Sequence, residues 1–365
     1  MKSHFQRFLM ICTLSAFSLH AWAQQLPATV QPVGMSTAHY EDSHRRNWSN
    51  TGNRPLNATI WYPAVADAIE TPWEVAIFKA GINARDATMV AAPNKLPLVL
   101  LSHGTGSAAA GLGWLGEALA ANGYIVVAVN HHGNTGAESN PMLQGTLVWW
   151  DRPQDLSVIL DRLMADPRFG QRIDISRIGV AGFSIGGYTA MALVGARLSR
   201  VQWQKFCTNA PNACELPPEV RSKFSPEDVD RLTHDQRVMD AMSHMDDSYI
   251  DPRIKAAFVM APVAGVAMTK ESLKAIKVPV HIVVGDKDDQ AIPEYNAKPI
   301  AALIPGAELQ ILPNVTHYTF LPICNERGNN YVKELCVSPA GVDRSTVHQQ
   351  IIGTALNFFS HTLKQ

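Results

Sequence analysis

The chain has 365 residues, of which 46% are hydrophobic, and its formal net charge at pH 7 is −1. This balance lacks the basic excess of nucleic-acid-binding proteins, so we expect no nucleic-acid partner. The length and the hydrophobic content suffice for one large core, and nothing in the composition marks a second domain.

Residues 1–23 have the pattern of a cleaved export signal. Lys2 and Arg7 give a basic start, residues 8–17 are apolar, and Ala-Trp-Ala at 21–23 has the small-residue spacing of a cleavage site. The apolar core is shorter than the roughly 20 residues that a membrane span needs, so no transmembrane anchor is expected. We predict a protein that is periplasmic or secreted.

The mature chain is then expected to be one domain over residues 24–365. The signal carries 2 of the 31 basic residues and none of the 32 acidic ones, so the mature net charge is 29 minus 32, or −3.

Apolar runs and helical periodicity alternate along the chain. Residues 57–62 alternate as a half-exposed strand, whereas 98–101 and 125–129 are apolar runs typical of buried strands. Residues 113–122 between those runs have helical periodicity, which predicts a parallel strand-helix-strand unit.

The same alternation continues to the end of the chain and predicts an α/β fold with a mostly parallel central sheet and helices on both faces. The later predicted elements are a helix at 153–165, a strand at 178–181, a helix from 185, a strand at 256–260, a helix at 270–276, a strand at 280–284, a helix at 294–303, a strand at 308–312 and a helix at 345–363.

Residues 201–250 interrupt the alternation. They contain a cysteine pair, Pro-rich loops and a polar helical stretch at 225–245. Excursions of this length in compact domains are often lids or binding loops, so the segment is predicted to be an inserted flap or lid.

Four cysteines of the mature chain form two close pairs, Cys207 with Cys214 and Cys324 with Cys336, in polar loops. In an exported protein such pairs predict two disulfides. A zinc site is the alternative, but the short Cys-x-x-Cys and His-x-x-x-His spacings that zinc sites favour are absent from the sequence. No metal site is therefore predicted.

The motif Gly-Phe-Ser-Ile-Gly at 182–186 lies between the predicted strand at 178–181 and a helix. This context indicates a nucleophile elbow, in which Ser184 occupies a sharp turn and the two glycines leave room for the strand and the helix to approach closely. The same five-residue motif also occurs by chance in other proteins, so the interpretation depends on its position between a strand and a helix.

A serine nucleophile needs a base and an acid, which follow it in the order acid, histidine in this kind of fold. Asp286, Asp288 and Asp289 all follow the strand at 280–284 and all compete for the role of acid. His317 follows the last predicted strand, where its imidazole could reach both Ser184 and an aspartate.

The oxyanion of the tetrahedral intermediate needs two N–H donors. One is predicted to be the backbone N–H of Ile185, at a helix N-terminus. The other is expected from the Ser-His-Gly-Thr-Gly loop at 102–106, at Thr105 or, failing that, Gly104.

Other polar and aromatic residues near strand ends are candidates for substrate binding. His103 is a poor candidate for the base and is expected either to pack structurally or to line the pocket. The remaining candidates are His132, Trp150 and Tyr318, with Trp149 and Phe320 equally compatible with a pocket or with the core.

These motifs, in this order, resemble the α/β-hydrolases. More narrowly, the chain is similar to an exported bacterial group related to platelet-activating-factor acetylhydrolase and often called predicted dienelactone hydrolases. Further marks are Ile-Trp-Tyr-Pro at 60–63, Arg-Pro-x-Asp at 152–155 and His-Tyr-Thr-Phe-Leu at 317–321, followed by Cys324 and Cys336. The resemblance covers residues 30–363 and favours Asp288 as the acid.

Two positions depart from the group. Phe183 stands where many relatives have histidine, and Ser184 replaces the cysteine nucleophile of dienelactone hydrolase itself. The resemblance therefore implies a serine ester hydrolase acting on short-chain or lipid-like esters, without a cofactor. An acyltransferase or peptidase using the same triad is the alternative, and a non-catalytic binding protein of this fold is the third. Nothing in the sequence indicates the oligomeric state.

Overall fold

A computed structural model describes residues 31–140 and 142–363, so the predicted export signal at 1–23 lies outside the described residues. Within them, ten strands form one sheet. The strands are β1 Val33–Arg46, β2 Asn53–Pro63, β3 Thr71–Val75, β4 Phe78–Arg85, β5 Leu96–Ser102, β6 Ile125–Val129, β7 Ile173–Phe183, β8 Ile254–Met260, β9 Val280–Gly285 and β10 Glu308–Leu312.

The sheet is mostly parallel, as the alternation predicts. Its strand order is β10-β9-β8-β7-β5-β6-β2-β1-β4-β3. The six strands from β10 to β6 run parallel to one another. β2 pairs antiparallel with both β6 and β1, and β3 pairs antiparallel with β4. The antiparallel part is thus confined to the N-terminal strands.

Thirteen α-helices fall within the described part of the chain, and none of them is both long and apolar enough to cross a membrane. They are α1 Gly113–Ala121, α2 Leu143–Leu147, α3 Arg152–Ala165, α4 Ile185–Leu193, α5 Arg200–Asn209, α6 Pro218–Arg221, α7 Pro226–Thr233, α8 Gln236–Ser243, α9 Lys270–Ala275, α10 Ala297–Leu303, α11 Glu326–Tyr331, α12 Lys333–Cys336 and α13 Arg344–Leu363.

The parallel strands are buried because helices cover the sheet. Every residue of β6 and β9 is buried, as the Val- and Ile-rich runs predict. Helices α1 and α13 pack together against the sheet, and α3 and α4 form a second pair. The helices leave the carboxyl ends of β5, β7, β9 and β10 free to carry loops at one edge.

Strand β2 corrects the expectation of a half-exposed strand at 57–62. It spans Asn53–Pro63 and is buried from Ala58 onward, because β1 and β6 flank it on both sides and α1 packs on it. Trp61 is fully buried against α1, where a Cβ on Gly116 would meet its ring at 2.8 Å.

Helices α5 to α8, over residues 200–243, form the excursion predicted between the nucleophile helix and β8. We call this segment the cap. The stretch at 225–245 is two helices rather than one, because the Asp235 side chain accepts hydrogen bonds from the N–H groups of Arg237 and Val238 and starts a new helix there. Cys207 and Cys214 are joined by a disulfide within the cap, and Cys324 and Cys336 by a second one near α11 and α12.

Candidate active site

The turn between β7 and α4 places Ser184 in an unusual backbone conformation. Its φ is 57° and its ψ is −119°, a region that residues with a side chain rarely adopt. The Ser184 N–H donates to the carbonyl of Met260 at the end of β8, which holds the turn against the sheet. The conformation is the one expected of a nucleophile elbow.

The two motif glycines permit the close approach of strand, turn and helix. A Cβ on Gly182 would overlap the backbone carbonyl of Gly186, and a Cβ on Gly186 would overlap the carbonyl of Ser102. Any larger residue at either position would push β7, α4 and β5 apart.

His317 follows β10 and lies between Ser184 and Asp288. Its Nε2 is 3.0 Å from the Ser184 Oγ, and its Nδ1 is 2.8 Å from the Asp288 Oδ2. All three side chains are buried. Because a carboxylate can only accept, Nδ1 carries the proton toward Asp288, and Nε2 is left to accept the hydroxyl proton of Ser184.

The structure distinguishes the three competing aspartates. The Asp288 Oδ1 also accepts the N–H groups of Ala291 and Gln290, which hold the carboxylate in place. Asp286 instead accepts the N–H of Asn314 and braces the loop after β10. Asp289 is exposed. Of the three, Asp288 alone contacts His317 in the described structure.

Charge around His317 favours its protonated form. Burial lowers the pKa of this histidine, but the Asp288 carboxylate outweighs it through its charge and hydrogen bond, with smaller contributions from Glu219 and Asp289. The net effect raises the pKa above its usual value. The imidazolium that forms when Ser184 loses its proton is thereby stabilised.

Two backbone N–H groups point to an oxyanion site. Those of Thr105 and Ile185 have no hydrogen-bond partner among the described residues, and both residues line the same cavity as Ser184. Gly104 does not line it. Its carbonyl instead accepts the N–H of Ser107 and lies 2.7 Å from the Nδ1 of His103, contacts that fix the loop.

A buried polar network supports the loop at 102–106 from below. Asp155 accepts from Arg54 and Arg45, at 2.8 and 2.5 Å, and its Oδ2 is 2.9 Å from the His131 Nδ1. Burial lowers the pKa of His131 to about 3, so this histidine is neutral and its Nε2 accepts from the Ser102 hydroxyl at 2.8 Å. Sequence reasoning noted Asp155 only as a mark of resemblance.

A cavity of about 170 Å³ opens beside Ser184 and His317. One side belongs to the cap, which supplies Trp203, Phe206 and Glu219. Sequence reasoning missed these three as site residues. The sequence did contain one indication of them. Trp203 and Phe206 are spaced i, i+3, which places both aromatic residues on one face of a helix.

Three predicted substrate-binding residues lie away from this cavity. His103 is buried and accepts the N–H of His131; His132 is buried, accepts the N–H of Trp48 and contacts Glu138. The Trp150 indole donates to the carbonyl of Ala241, and its neighbour Trp149 lines the cavity instead. The structure does not bring these three residues to the cavity, because their polar atoms bond within the fold.

Tyr318 and Phe320 take supporting positions. The Tyr318 hydroxyl donates to the Glu219 Oε2 at 3.1 Å. Phe320 is buried and stacks on Phe183, which in turn packs against the His317 ring. Among the described residues, no group of three or more His, Cys, Asp or Glu side chains could hold a metal ion.

The sheet, the elbow and the Ser184-His317-Asp288 contacts define a serine hydrolase of the α/β-hydrolase superfamily. The family described as "Serine aminopeptidase, S33" matches residues 93–321, and the chain belongs to it.

One solved structure supports the fold, and a second has a lower similarity. A ferulic acid esterase from Streptomyces cinnamoneus has 22% sequence identity and a TM-score of 0.59, with 93% of this chain and 92% of that one covered. A Bacteroides ovatus protein solved as a candidate dipeptidyl aminopeptidase IV has 15% sequence identity and a TM-score of 0.48. The match covers 91% of this chain and 36% of that one. No curated protein matches the chain.

Proposed function

We propose that this protein is an exported serine hydrolase that cleaves carboxylic esters through an acyl-enzyme. The observation that carries the proposal is the continuous contact from Ser184 through His317 to Asp288, with separations of 3.0 and 2.8 Å. A serine, a base and an orienting acid at these distances suffice for nucleophilic catalysis.

In the proposed mechanism His317 Nε2 takes the proton of Ser184 while Oγ forms a bond to the ester carbonyl carbon. The N–H groups of Thr105 and Ile185 hold the resulting oxyanion. Collapse breaks the bond to the alkoxide, which leaves as the alcohol with the proton from His317. Water, deprotonated by the same histidine, then releases the carboxylic acid and restores Ser184.

The cavity of about 170 Å³ beside Ser184 supports a small-molecule substrate. Together with the resemblance to the acetylhydrolase group, this favours short-chain or lipid-like esters. Export is supported by the two disulfides, which persist in oxidising compartments, and by the signal pattern at 1–23.

A peptidase is the second candidate, because the matching family is named for an aminopeptidase. The triad geometry suits amides as well as esters. Hydrolysis of an ester and an amide with the same acyl group separates the two candidates, and transfer of the acyl group to an added alcohol identifies an acyltransferase.

The proposed function is tested with p-nitrophenyl butyrate and a fluorophosphonate probe. We expect turnover and covalent labelling of the wild type, and neither in Ser184→Ala with unchanged circular dichroism. Turnover retained in folded Ser184→Ala would contradict the mechanism. Absence of both turnover and labelling in the wild type would contradict enzymatic function.

A further inference from the structure

The cap places one carboxylate in the cavity. Glu219, on α6, is partly buried, and its Oε2 accepts the hydroxyl of Tyr318 at 3.1 Å. Its Cγ lies 3.6 Å from where a Cβ on Gly106 would stand, which places the side chain beside the loop at 102–106. Within the described structure its Oε1 has no hydrogen-bond or ion-pair partner.

No described Lys or Arg side chain of the cavity balances this charge. The described residues that line it include two acids, Glu219 and Glu215, and neither Lys nor Arg. Glu215 is exposed and forms an ion pair with Arg221 outside the cavity. Glu219 therefore places a negative charge near Ser184 that no described Lys or Arg of the cavity pairs.

The same cavity has an aromatic wall. Trp149, Trp203, Phe206 and Tyr295 line it and contact one another in sequence, with ring centroids 6.0, 6.3 and 5.2 Å apart. Aromatic faces attract cations, and most strongly when water is excluded. The aromatic wall and Glu219 thus line one cavity, beside Ser184.

Glu219 lies close to the candidate catalytic histidine. Its charge acts on His317, and its partner Tyr318 is adjacent to His317 in the chain. In the proposed mechanism His317 delivers the proton to the departing alcohol. A carboxylate near His317 is thus also near the departing alcohol.

We infer that the site prefers esters whose alcohol part carries a methylated ammonium group, as in choline esters, and that Glu219 determines this preference. The inference rests on the proposed ester hydrolysis and specifies its substrate class. Phosphate- or carboxylate-bearing alcohols meet like charge and are disfavoured.

The test compares butyrylcholine with 3,3-dimethylbutyl butyrate, which has the same acyl group and the same alcohol shape without the charge. The measured quantity is the ratio of kcat/KM for the two esters, in wild type, Glu219→Gln and Glu215→Gln. Intrinsic reactivity of the esters cancels between variants. We expect Glu219→Gln to lower the ratio about tenfold, since a partly exposed charge pair together with its cation–π contacts has roughly that effect. Glu215→Gln, whose charge is already paired, should keep the wild-type ratio.

A ratio that falls only in Glu219→Gln supports the inference. A fall of the wild-type ratio with rising ionic strength supports it independently of any variant, since screening weakens the attraction. Equal ratios in all three proteins, with the neutral ester still hydrolysed, overturn the inference and leave the proposed function standing. No turnover of either ester or of p-nitrophenyl butyrate overturns the proposed function itself.

Discussion

Arg152 donates one guanidinium N–H to the backbone carbonyl of His103 at 2.7 Å, and a second to the carbonyl of Asn134 at 3.3 Å. The Asn134 side chain in turn accepts the N–H of Gly106 at 2.7 Å. One buried cation thus holds both ends of the loop that carries Thr105. Burial lowers the pKa of Arg152 to about 9, which still leaves it charged at neutral pH.

Arg152→Met should therefore impair catalysis more than binding. We expect kcat for p-nitrophenyl butyrate to fall about ten- to hundredfold, with little change in KM, because a small displacement of an oxyanion donor has effects of that size. Steady-state kinetics at saturating and limiting substrate provide the measurement.

Arg344 offers a matched control. It is also buried, and it donates to two backbone carbonyls, of Pro322 and Leu335, away from the candidate site. Both methionine variants should lose about 2–4 kcal/mol in urea unfolding, because each removes two hydrogen bonds from a buried guanidinium to backbone carbonyls. Only Arg152→Met should lose kcat. Equal losses of kcat in both variants would mean that stability alone is responsible.

The pH dependence should follow His317. The neutral imidazole is the active base, so kcat/KM rises as pH increases through the pKa of this histidine. Because nearby carboxylates raise that pKa, the midpoint should lie above the ordinary value of 6.5. Asp288→Asn removes the largest raising influence, so the midpoint should move to lower pH while kcat falls roughly 10³- to 10⁴-fold.

Variants of Glu219 and Glu215 show whether the pKa of His317 responds to Glu219 itself or to the total charge of the cavity. Glu219 is among the carboxylates that raise the pKa of His317, whereas Glu215 is exposed and already paired with Arg221. The pH profile of Glu219→Gln should shift toward acid, whereas that of Glu215→Gln should overlay the wild type. Identical shifts in both variants would argue against a specific influence of Glu219 on His317.

The sequence predicts the parallel half of the fold better than its N-terminal half. β6 and β9 are continuous Val- and Ile-rich runs, which a strand covered by helices on both faces requires. β1 has no such run and ends in polar residues, because much of its outer part, where it pairs with β2, is exposed. The sequence alone therefore did not indicate it.

The sequence also predicts some residues of the candidate site better than others. Ser184 directly follows β7 and His317 lies at the end of the loop after β10, so local pattern and chain order locate them. Selecting Asp288 from three nearby aspartates needed the resemblance. The direction of the Asp288 side chain depends on the backbone N–H groups that donate to its carboxylate, and the sequence does not show these hydrogen bonds. Glu219 lies in the cap and reaches the cavity only through tertiary packing, which no local motif reports.

Two glycine substitutions should have opposite effects. Gly186→Ala places a Cβ onto the Ser102 carbonyl at the elbow, so we expect a large loss of stability and of p-nitrophenyl butyrate turnover.

Gly353, within α13, has no atom within 4 Å of the position a Cβ would take. Gly353→Ala should raise the unfolding free energy by about 0.5–1 kcal/mol, because alanine favours helices. Thermal unfolding and activity assays distinguish the two; a stabilised, active Gly186→Ala protein would contradict the packing of the elbow.

Asp155→Asn should be among the most destabilising polar substitutions in the chain. The carboxylate is fully buried and holds Arg54, Arg45 and His131 together beneath the loop at 102–106. Removing its charge leaves the buried Arg54 guanidinium without its closest partner and with the Asp151 carboxylate at 3.5 Å; breaking a buried ion pair typically costs about 3–5 kcal/mol. Urea unfolding measures the loss, and Glu294→Gln provides the comparison, since the Glu294–Lys298 pair is exposed and its removal should leave stability unchanged. If the two variants unfold at the same urea concentration, the network beneath the loop contributes no more than a surface ion pair, and kcat should then also be insensitive to Asp155.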